Sequence, residues 1–274
     1  MSHSDLYAEV DKSAYTNTLA KTSPITKTFF ALPTLFILVS ASTFDVPGVV
    51  LFIAPIAVFI ICTSLTLGVA KVKSRLYMKL FAYPTYMLLL SCLLLALFFG
   101  SGTPLIEIQL PWATWSIFKS GISLSINTFL RVESALSCLF FLVLTTSITD
   151  LCVLLRRIHV PQVIVEMSML IYRYIFLFLE ISEQMSLSQK LRLRRSGWLS
   201  SIRSLAMLGG SLFIRTLHQG ERTLTAMNAR GYDGEMRILD DFPALRKTTL
   251  LGVIIFEILL ITLIILTKNI GAIL

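Results

Sequence analysis

Arginine is the residue type in this chain whose number and spacing could do chemistry. Twelve of its fourteen arginines lie between residues 150 and 247. A guanidinium group stays charged at physiological pH and presents a rigid fork of N–H donors that matches carboxylates and carbonyl oxygens. The segment therefore predicts a surface that touches a soluble partner. Basic side chains beside apolar segments can also act only to keep a loop inside, and that alternative stays open.

The first basic cluster ends a stretch from residue 186 that contains no proline or glycine before Gly197. This pattern predicts a short basic helix with a glycine at its end. Arg192 would project near the C-terminal turn of that helix. The cluster consists of Leu191, Arg192, Leu193, Arg194 and Arg195.

The second cluster is Ala229-Arg230-Gly231, at the end of a predicted helix over residues 219–229. Gly231 favours the left-handed conformation that stops a helix, and the Tyr-Asp-Gly sequence at 232–234 is typical of a following turn. The small side chain of Ala229 allows a close approach to Arg230. An arginine at a helix C-terminus also complements the dipole by about 0.3–1 kcal/mol, so a purely structural charge is the alternative.

Motifs for nucleotide-dependent or metal-dependent catalysis are missing from the sequence. It has no Walker-type loop and no HExxH, GxSxG or GxGxxG pattern, so ATP would have to be hydrolysed by another protein. The histidines lack the spacing of metal ligands, and the cysteines stand singly in apolar surroundings that are typical of inert core thiols. These residues are His3, His159 and His218, and Cys62, Cys92, Cys138 and Cys152.

Acidic residues in or beside apolar segments are the remaining candidates for chemistry. Glu257 lies in the middle of the last apolar segment, where an ionisable group indicates a functional site by default. A protonated or hydrogen-bonded glutamate that faces another helix is the structural alternative. A membrane-embedded enzyme could use Glu257, Glu133 or Asp150 as acid or base, but no nucleophile, metal set or paired carboxylate accompanies them.

The elements that position these residues are those of a polytopic membrane protein. Of 274 residues, 55% are hydrophobic and only 15% are charged, and the mean hydropathy is +0.78. The net charge of +8 lies beside the apolar segments, as topology-setting charge does, and this argues against nucleic-acid binding. The predicted fold class is therefore all-α, with the lipid bilayer as the main solvent.

Five apolar segments approach the roughly 20 residues that are needed to cross a bilayer. The loop over 70–80 carries four basic residues and no acidic one, which predicts that this loop and the N-terminus are cytoplasmic. The expected domains are a cytoplasmic N-terminus over 1–27, four transmembrane helices over 28–155, cytoplasmic or interfacial helices with the arginine motifs over 156–247, and a last transmembrane helix with a short external tail over 248–274. The individual spans are predicted at 28–44, 46–69, 80–99, 134–155 and 248–267.

Segments 160–179 and 198–217 are marginal as spans. Glu166 and Arg173 lie on one helical face of the first segment, and each would cost about 2.5–3.5 kcal/mol at a bilayer centre. Arg203 and Arg215 lie in the second segment. Both segments are predicted to be amphipathic and to lie at the membrane surface. A pair of further spans is the alternative, because the last segment would keep its orientation either way.

Residues 186–237 resemble the coupling region of the transmembrane T component of energy-coupling factor (ECF) transporters, in particular the cobalt-type family called CbiQ. The resemblance extends over nearly the whole chain. The residues that carry it are Asp11 and Tyr15, Val160-Pro161, Tyr172-Arg173-Tyr174, Gly220-Glu221-Arg222 and Ala229-Arg230-Gly231-Tyr232.

This resemblance implies a non-catalytic scaffold with two cytoplasmic coupling helices. Each helix would end in a short motif centred on arginine that docks into a groove of one ATPase subunit. Arg230 matches the second motif directly. The first motif departs from the Ala-Arg-Gly pattern of many members: Leu191-Arg192-Leu193 is the best alignment, and Arg194-Arg195-Ser196 competes with it.

The resemblance also implies the partners and the cargo. Two separate ATPase subunits would bind ATP and Mg²⁺, and this chain would need no cofactor. A membrane subunit similar to CbiM would capture the substrate, and the complex would lie in the cytoplasmic membrane of a prokaryote. The implied substrate is Co²⁺ for corrin synthesis, with nickel or a vitamin as alternatives. A stand-alone carrier is a further class, for which the internal repeats that would be expected are missing.

Overall fold

The computed structural model describes residues 3–40, 48–99, 104–110, 113–191, 197–233 and 247–271. Helices make up nearly all of the regular structure in these ranges, which confirms the all-α class. They group into two compact units. The bundle unit contains residues 9–147 and 247–271, and the hairpin unit contains residues 148–233 with residues 3–8.

The bundle unit is built from long apolar helices. A 3₁₀ turn over Thr18–Lys21 joins the first two, a π-helical segment over Leu65–Val69 continues the third, and a two-stranded antiparallel hairpin precedes the fifth. Its elements are the part of α1 (His3–Thr16) from residue 9 onward, α2 (Pro24–Ser40), α3 (Gly48–Ser64), α4 (Ser74–Phe98), β1 (Pro104–Leu110), β2 (Ala113–Phe118), α5 (Lys119–Thr145) and α9 (Lys247–Gly271).

Three of these helices are long and apolar enough to cross a membrane. They are α4, α5 and the part of α9 over Lys247–Ile265, whereas Pro24–Ser40 and Ile53–Val69 are shorter apolar helices. The predicted spans at 80–99 and 248–267 therefore correspond to α4 and α9. Residues 41–44 and 46–47 of the first two predicted spans lie outside the described ranges.

The fourth predicted span, 134–155, is wrong in its bounds. Helix α5 begins at Lys119 and ends at Thr145, and the next helix begins at Ile148. Thr146 has extended backbone angles, φ −124° and ψ 125°, which break the helix at the polar residues 145–150 inside the predicted span. The start of α5 escaped detection because its polar residues face the bundle: Ser125, for example, is buried and donates to the carbonyl of Cys92 at 2.6 Å.

Helix α5 is the centre of the bundle unit, because it packs against α2, α3 and α4. The rings of Phe30 and Phe141 meet edge to face with their centroids 5.5 Å apart. The hydroxyl groups of Thr63, Tyr77 and Ser137 lie within 3.1–3.3 Å of one another and join α3, α4 and α5. The polar side chains of this helix therefore bind neighbouring helices inside an apolar core.

The hairpin unit contains the arginine-rich segment. Its helices are α6 (Ile148–Arg157), α7 (Gln162–Leu191) and α8 (Trp198–Ala229). The prediction of a separate short basic helix after residue 186 is wrong, because residues 186–191 are the end of the 30-residue α7. Gly197 precedes α8 as its N-cap, with φ +98°, and this corrects its predicted place as the end of that short helix.

The two marginal segments, 160–179 and 198–217, lie within α7 and α8. Neither helix qualifies as a candidate span among the residues that the structure describes. Their position at the membrane surface stays a prediction.

The end of α5 is fixed by side chains from the N-terminal part of the bundle unit. The last carbonyls of a helix have no partner within the helix, so they need donors from elsewhere. Lys27 Nζ donates to the carbonyl of Thr145 at 2.8 Å, and Asn17 Nδ2 donates to the carbonyl of Leu144 at 3.0 Å. Lys27 is only 5% exposed, so its charge depends on such acceptors and on the negative end of the α5 dipole.

We expect Lys27→Ala to destabilise the bundle unit. The substitution leaves the buried carbonyl of Thr145 without this donor, which costs about 1–3 kcal/mol. Thermal unfolding in detergent can be followed with a thiol-reactive dye, because Cys62, Cys92, Cys138 and Cys152 are all buried. Lys12→Ala, at an exposed position of α1, is the control. Equal melting temperatures for the two variants would contradict the assignment.

Candidate functional site

Helices α7 and α8 form an antiparallel hairpin, with Leu191 at the end of α7 and Arg230 at the end of α8. Near the connection, Ser204 Oγ donates to Gln189 Oε1 at 2.5 Å. Further along, the Tyr174 hydroxyl donates to Thr223 Oγ1. These pairs fix the register, so that the end of α8 lies beside the beginning of α7.

The end of α8 closes with a Schellman motif. The Tyr232 N–H donates to the carbonyl of Met227 at 3.1 Å, and the Gly231 N–H donates to the carbonyl of Asn228 at 3.1 Å. Gly231 has φ +79°, in the left-handed region that favours glycine. The predicted helix end at Gly231 is thus confirmed. Arg230 is the C-cap residue of this motif.

Arg230 is exposed, and so is Ala229 before it. Among the described residues, Arg230 forms no ion pair. Its backbone is held, because its N–H donates to the carbonyl of Met227 at 3.0 Å. The guanidinium group is therefore presented on a fixed turn with its donors available to another molecule.

A buried carboxylate ties this turn to the beginning of α7. Glu166 is 7% exposed, and its Oε2 accepts a hydrogen bond from the Tyr232 hydroxyl at 3.0 Å. Its Oε1 accepts from Gln162 Nε2 at 2.8 Å. The hydrogen bond to Glu166 raises the pKa of Tyr232, because a carboxylate acceptor favours the protonated phenol. Glu166 thus helps to orient the turn that carries Arg230.

The first arginine cluster begins where α7 ends. Leu191 is the last residue of the helix and is exposed. Arg192, Leu193, Arg194 and Arg195 lie outside the described residues. A 30-residue helix is about 45 Å long, so Leu191 and Arg230 stand at opposite ends of the hairpin.

Glu257 belongs to the bundle unit, whereas Arg230 belongs to the hairpin unit. Its Oε1 lies 2.6 Å from the hydroxyl of Thr34 on α2, and that hydroxyl is also within hydrogen-bond distance of the carbonyl of Phe30. The Thr34 hydroxyl is the donor toward both acceptors, so its single proton is shared between Glu257 Oε1 and the Phe30 carbonyl. This contact joins α9 to α2, as expected if Glu257 is a structural, hydrogen-bonded glutamate that faces another helix.

Sequence reasoning missed the pairing partners of the hairpin. The sequence indicates Glu166 as a charge that disfavours membrane insertion and Tyr232 as part of a turn. No sequence pattern predicts that these two residues, 66 positions apart, bind each other. Thr223 and Gln189 were not singled out. An acidic residue in an apolar helix, as Glu166 is, was the signal that could have pointed to a buried partner.

The described residues do not bring together three His, Cys, Asp or Glu side chains in an arrangement that could hold a metal ion. The chemistry of the hairpin is instead that of charge and hydrogen bonding at two helix ends.

Comparison with known proteins places these features in a family. The family model described as cobalt transport protein, CbiQ, matches residues 16–238. An uncharacterised protein of Methanocaldococcus jannaschii is 34% identical over 95% of this chain and 94% of its own length. A putative fused cobalt transport protein CbiMQ of Methanocorpusculum labreanum is 30% identical over 90% of this chain and 40% of its own length. The cobalt transport protein CbiQ of Salmonella typhimurium is 31% identical over 44% of this chain and 54% of its own length.

We expect Tyr232→Phe to loosen the turn that carries Arg230 without unfolding the chain. The variant removes the donor to Glu166 Oε2, so the turn loses its bond to α7. Hydrogen exchange followed by mass spectrometry should show severalfold faster exchange in peptides that cover residues 227–233. Tyr83→Phe, at an exposed position of α4, should leave those peptides unchanged. Identical exchange in both variants would show that Glu166 does not hold the turn.

Proposed function

The chain belongs to the CbiQ family of cobalt transport proteins, and we propose that it is the transmembrane T component of an ECF-type importer. In this role it hydrolyses no ATP. It couples the closure of two separate ATPase subunits, which bind ATP and Mg²⁺, to a substrate-binding subunit in the membrane. Membership of a transport family alone specifies neither these partners nor the direction of coupling.

The observation that carries the proposal is the presentation of Arg230. Its neighbour Gly231 ends the helix, Tyr232 and Glu166 hold the turn, and the guanidinium group is left exposed. An always-charged group on a rigid turn suits bidentate binding to carboxylates or carbonyl groups of a partner. Lysine would offer a point charge without this geometry.

The antiparallel hairpin supports two docking points rather than one. Helices α7 and α8 run in opposite directions in the register set by the Glu166–Tyr232 contact, so their C-terminal ends, at Leu191 and Ala229, are roughly 35 Å apart by helix rise. One small domain could not cover both ends, whereas two ATPase subunits could each take one. Closure of the two subunits would then exert force on both ends of the same hairpin.

The relatives support cobalt as the substrate. Two of them are named as cobalt transport proteins, and one of these is a fusion named CbiMQ, in which the part similar to this chain is 40% of the length. A CbiM-like membrane subunit is accordingly the proposed substrate-binding partner, and Co²⁺ passes through the complex as cargo. Nickel and vitamin substrates are the alternatives that an uptake assay would separate.

The inner membrane of a prokaryotic cell, with the N-terminus and the hairpin unit on the cytoplasmic side, is the proposed location. The basic loop over Lys71–Lys79 supports this orientation, because basic loops are retained on that side. ATP is available there for the ATPase subunits.

We expect Arg230→Glu and Arg192→Glu each to abolish ATPase association and to lower ATP-dependent Co²⁺ uptake by at least about tenfold. Reversal of the charge replaces an attraction to the partner by a repulsion, which commonly costs several kcal/mol. Association can be measured by co-purification from membranes, and uptake by accumulation of radioactive cobalt. Lys12→Glu is the control, because it reverses a charge at an exposed position of the bundle unit, outside both proposed docking points.

Normal uptake in both variants would refute the coupling role. Hydrolysis of ATP by the purified chain alone would refute it as well. Uptake of nickel or a vitamin instead of cobalt would keep the coupling role and change the cargo.

A further inference from the structure

A groove of about 1240 Å³ runs between α7 and α8 and ends at the Arg230 turn. Three guanidinium groups line it: Arg173 from α7, and Arg222 and Arg230 from the facing side of α8. Apolar side chains such as Met169 and Leu177 form part of its wall. The groove thus combines an apolar surface with an unusual concentration of positive charge.

The charge of the groove is poorly compensated from within the hairpin. Arg173, Arg222 and Arg230 are exposed, and none of them forms an ion pair in the part of the chain that the structure describes. Asp233 is the one acidic residue among the described lining residues. Like charges held on adjacent helices repel, so carboxylates supplied from outside would be attracted to this groove.

The opposite side of the hairpin is apolar. A smaller cleft of about 280 Å³ lies there and is lined by Ile171, Ile175 and Phe178. Tyr174 lines both the cleft and the groove, and its hydrogen bond to Thr223 separates them. Arg173 and Ile175 are two residues apart on one helix, so their side chains point roughly 200° apart. The hairpin therefore has a basic side and an apolar side.

Because the two sides differ in polarity, a protein ligand and a lipid headgroup would approach the hairpin from different sides. If the apolar side faces the membrane or a membrane partner, the basic groove faces away from it, toward water. Anionic headgroups would be reached from the same side as the acyl chains, which is the apolar side. An acidic segment of a soluble protein can approach the basic side freely.

We infer that this groove is a docking surface for an acidic segment of the same ATPase subunit that the proposed function places at Arg230. The inference rests on that function and extends it: the contact is not confined to the helix tip but continues along the hairpin to Arg222, Arg173 and Leu177. Carboxylates of the segment pair with the arginines, and its apolar side chains cover the wall formed by Met169 and Leu177. Electrostatic attraction of this kind speeds and orients docking.

Charge reversal of the two arginines beyond the tip tests the groove. Arg173→Glu and Arg222→Glu are each expected to weaken binding of the cognate ATPase to the full-length chain in detergent by about tenfold, and to reduce its dependence on salt. Lys12→Glu is again the control, since it reverses a charge at an exposed position that does not line the groove. Wild-type affinity in both groove variants would overturn the inference.

Cross-linking gives a readout that a loss of stability would not imitate. All four native cysteines are buried, so one added surface cysteine can be labelled selectively with a photoreactive maleimide. Leu177→Cys places the label in the groove, away from Arg230, and Ile175→Cys places it on the apolar side. The ATPase should cross-link to the first position and not to the second. Equal cross-linking, or cross-linking from Ile175 alone, would contradict the assigned side.

The outcomes separate this inference from the function on which it rests. If Arg230→Glu binds the ATPase normally, the coupling role fails. If Arg230→Glu loses binding while Arg173→Glu and Arg222→Glu behave as Lys12→Glu does, the coupling role stands and the groove inference fails. The groove inference also fails if the two groove variants keep ATPase binding but lose phosphatidylglycerol that co-purifies with the wild type, because the groove would then be a lipid site.

Discussion

The antiparallel register of α7 and α8 is the constraint on which the functional arrangement depends. It is set by polar contacts at well-separated levels, from Gln189 with Ser204 to Glu166 with Tyr232. Each contact joins a residue of α7 to a residue of α8 or of the turn after α8. A shift of one helix by one turn would therefore break all of these contacts together. Because the register holds, the two helix C-termini point to opposite ends, and the arginines of α8 share a groove with Arg173.

The bundle unit follows a different constraint, which is that buried backbone and hydroxyl groups must find partners in an apolar surrounding. Helix α5 satisfies it by binding neighbours through Ser125 and Ser137, and its terminal carbonyls are bound by Asn17 and Lys27. Such polar contacts hold helices together where the contrast with lipid gives no hydrophobic driving force. The donors from Asn17 and Lys27 also satisfy the end of α5 at Thr145, where the sequence becomes polar over 145–150.

The sequence predicted what depends on local pattern. Composition predicted an all-α membrane protein, and Gly231 predicted the end of α8 at the residue where the structure has it. The prediction was wrong where long-range contacts determine the bounds of a helix. Hydropathy predicts a span at 134–155, because a hydropathy scale takes no account of the burial of the α5 serines against other helices. For the same reason, the residues before Arg192 were assigned to a separate short helix, although they continue an amphipathic helix whose partner lies in α8. The proposed role of Arg230 rests on its sequence motif. The hydrogen bond from Tyr232 to Glu166 that holds its turn is seen only in the structure.

The energetics of Arg230 support the proposal that it serves binding rather than folding. A cation at an exposed helix end contributes about 0.3–1 kcal/mol to stability, and many residues would close a Schellman motif equally well at the C-cap. In contrast, a guanidinium group that is desolvated against a partner carboxylate can contribute several times as much. The buried acid Glu166 and the left-handed residue Gly231 both hold the turn that carries Arg230. Among the described residues, the side chain of Arg230 makes no ion pair. A rigid turn lowers the entropic cost of docking, and this gain is realised only when a second molecule binds it.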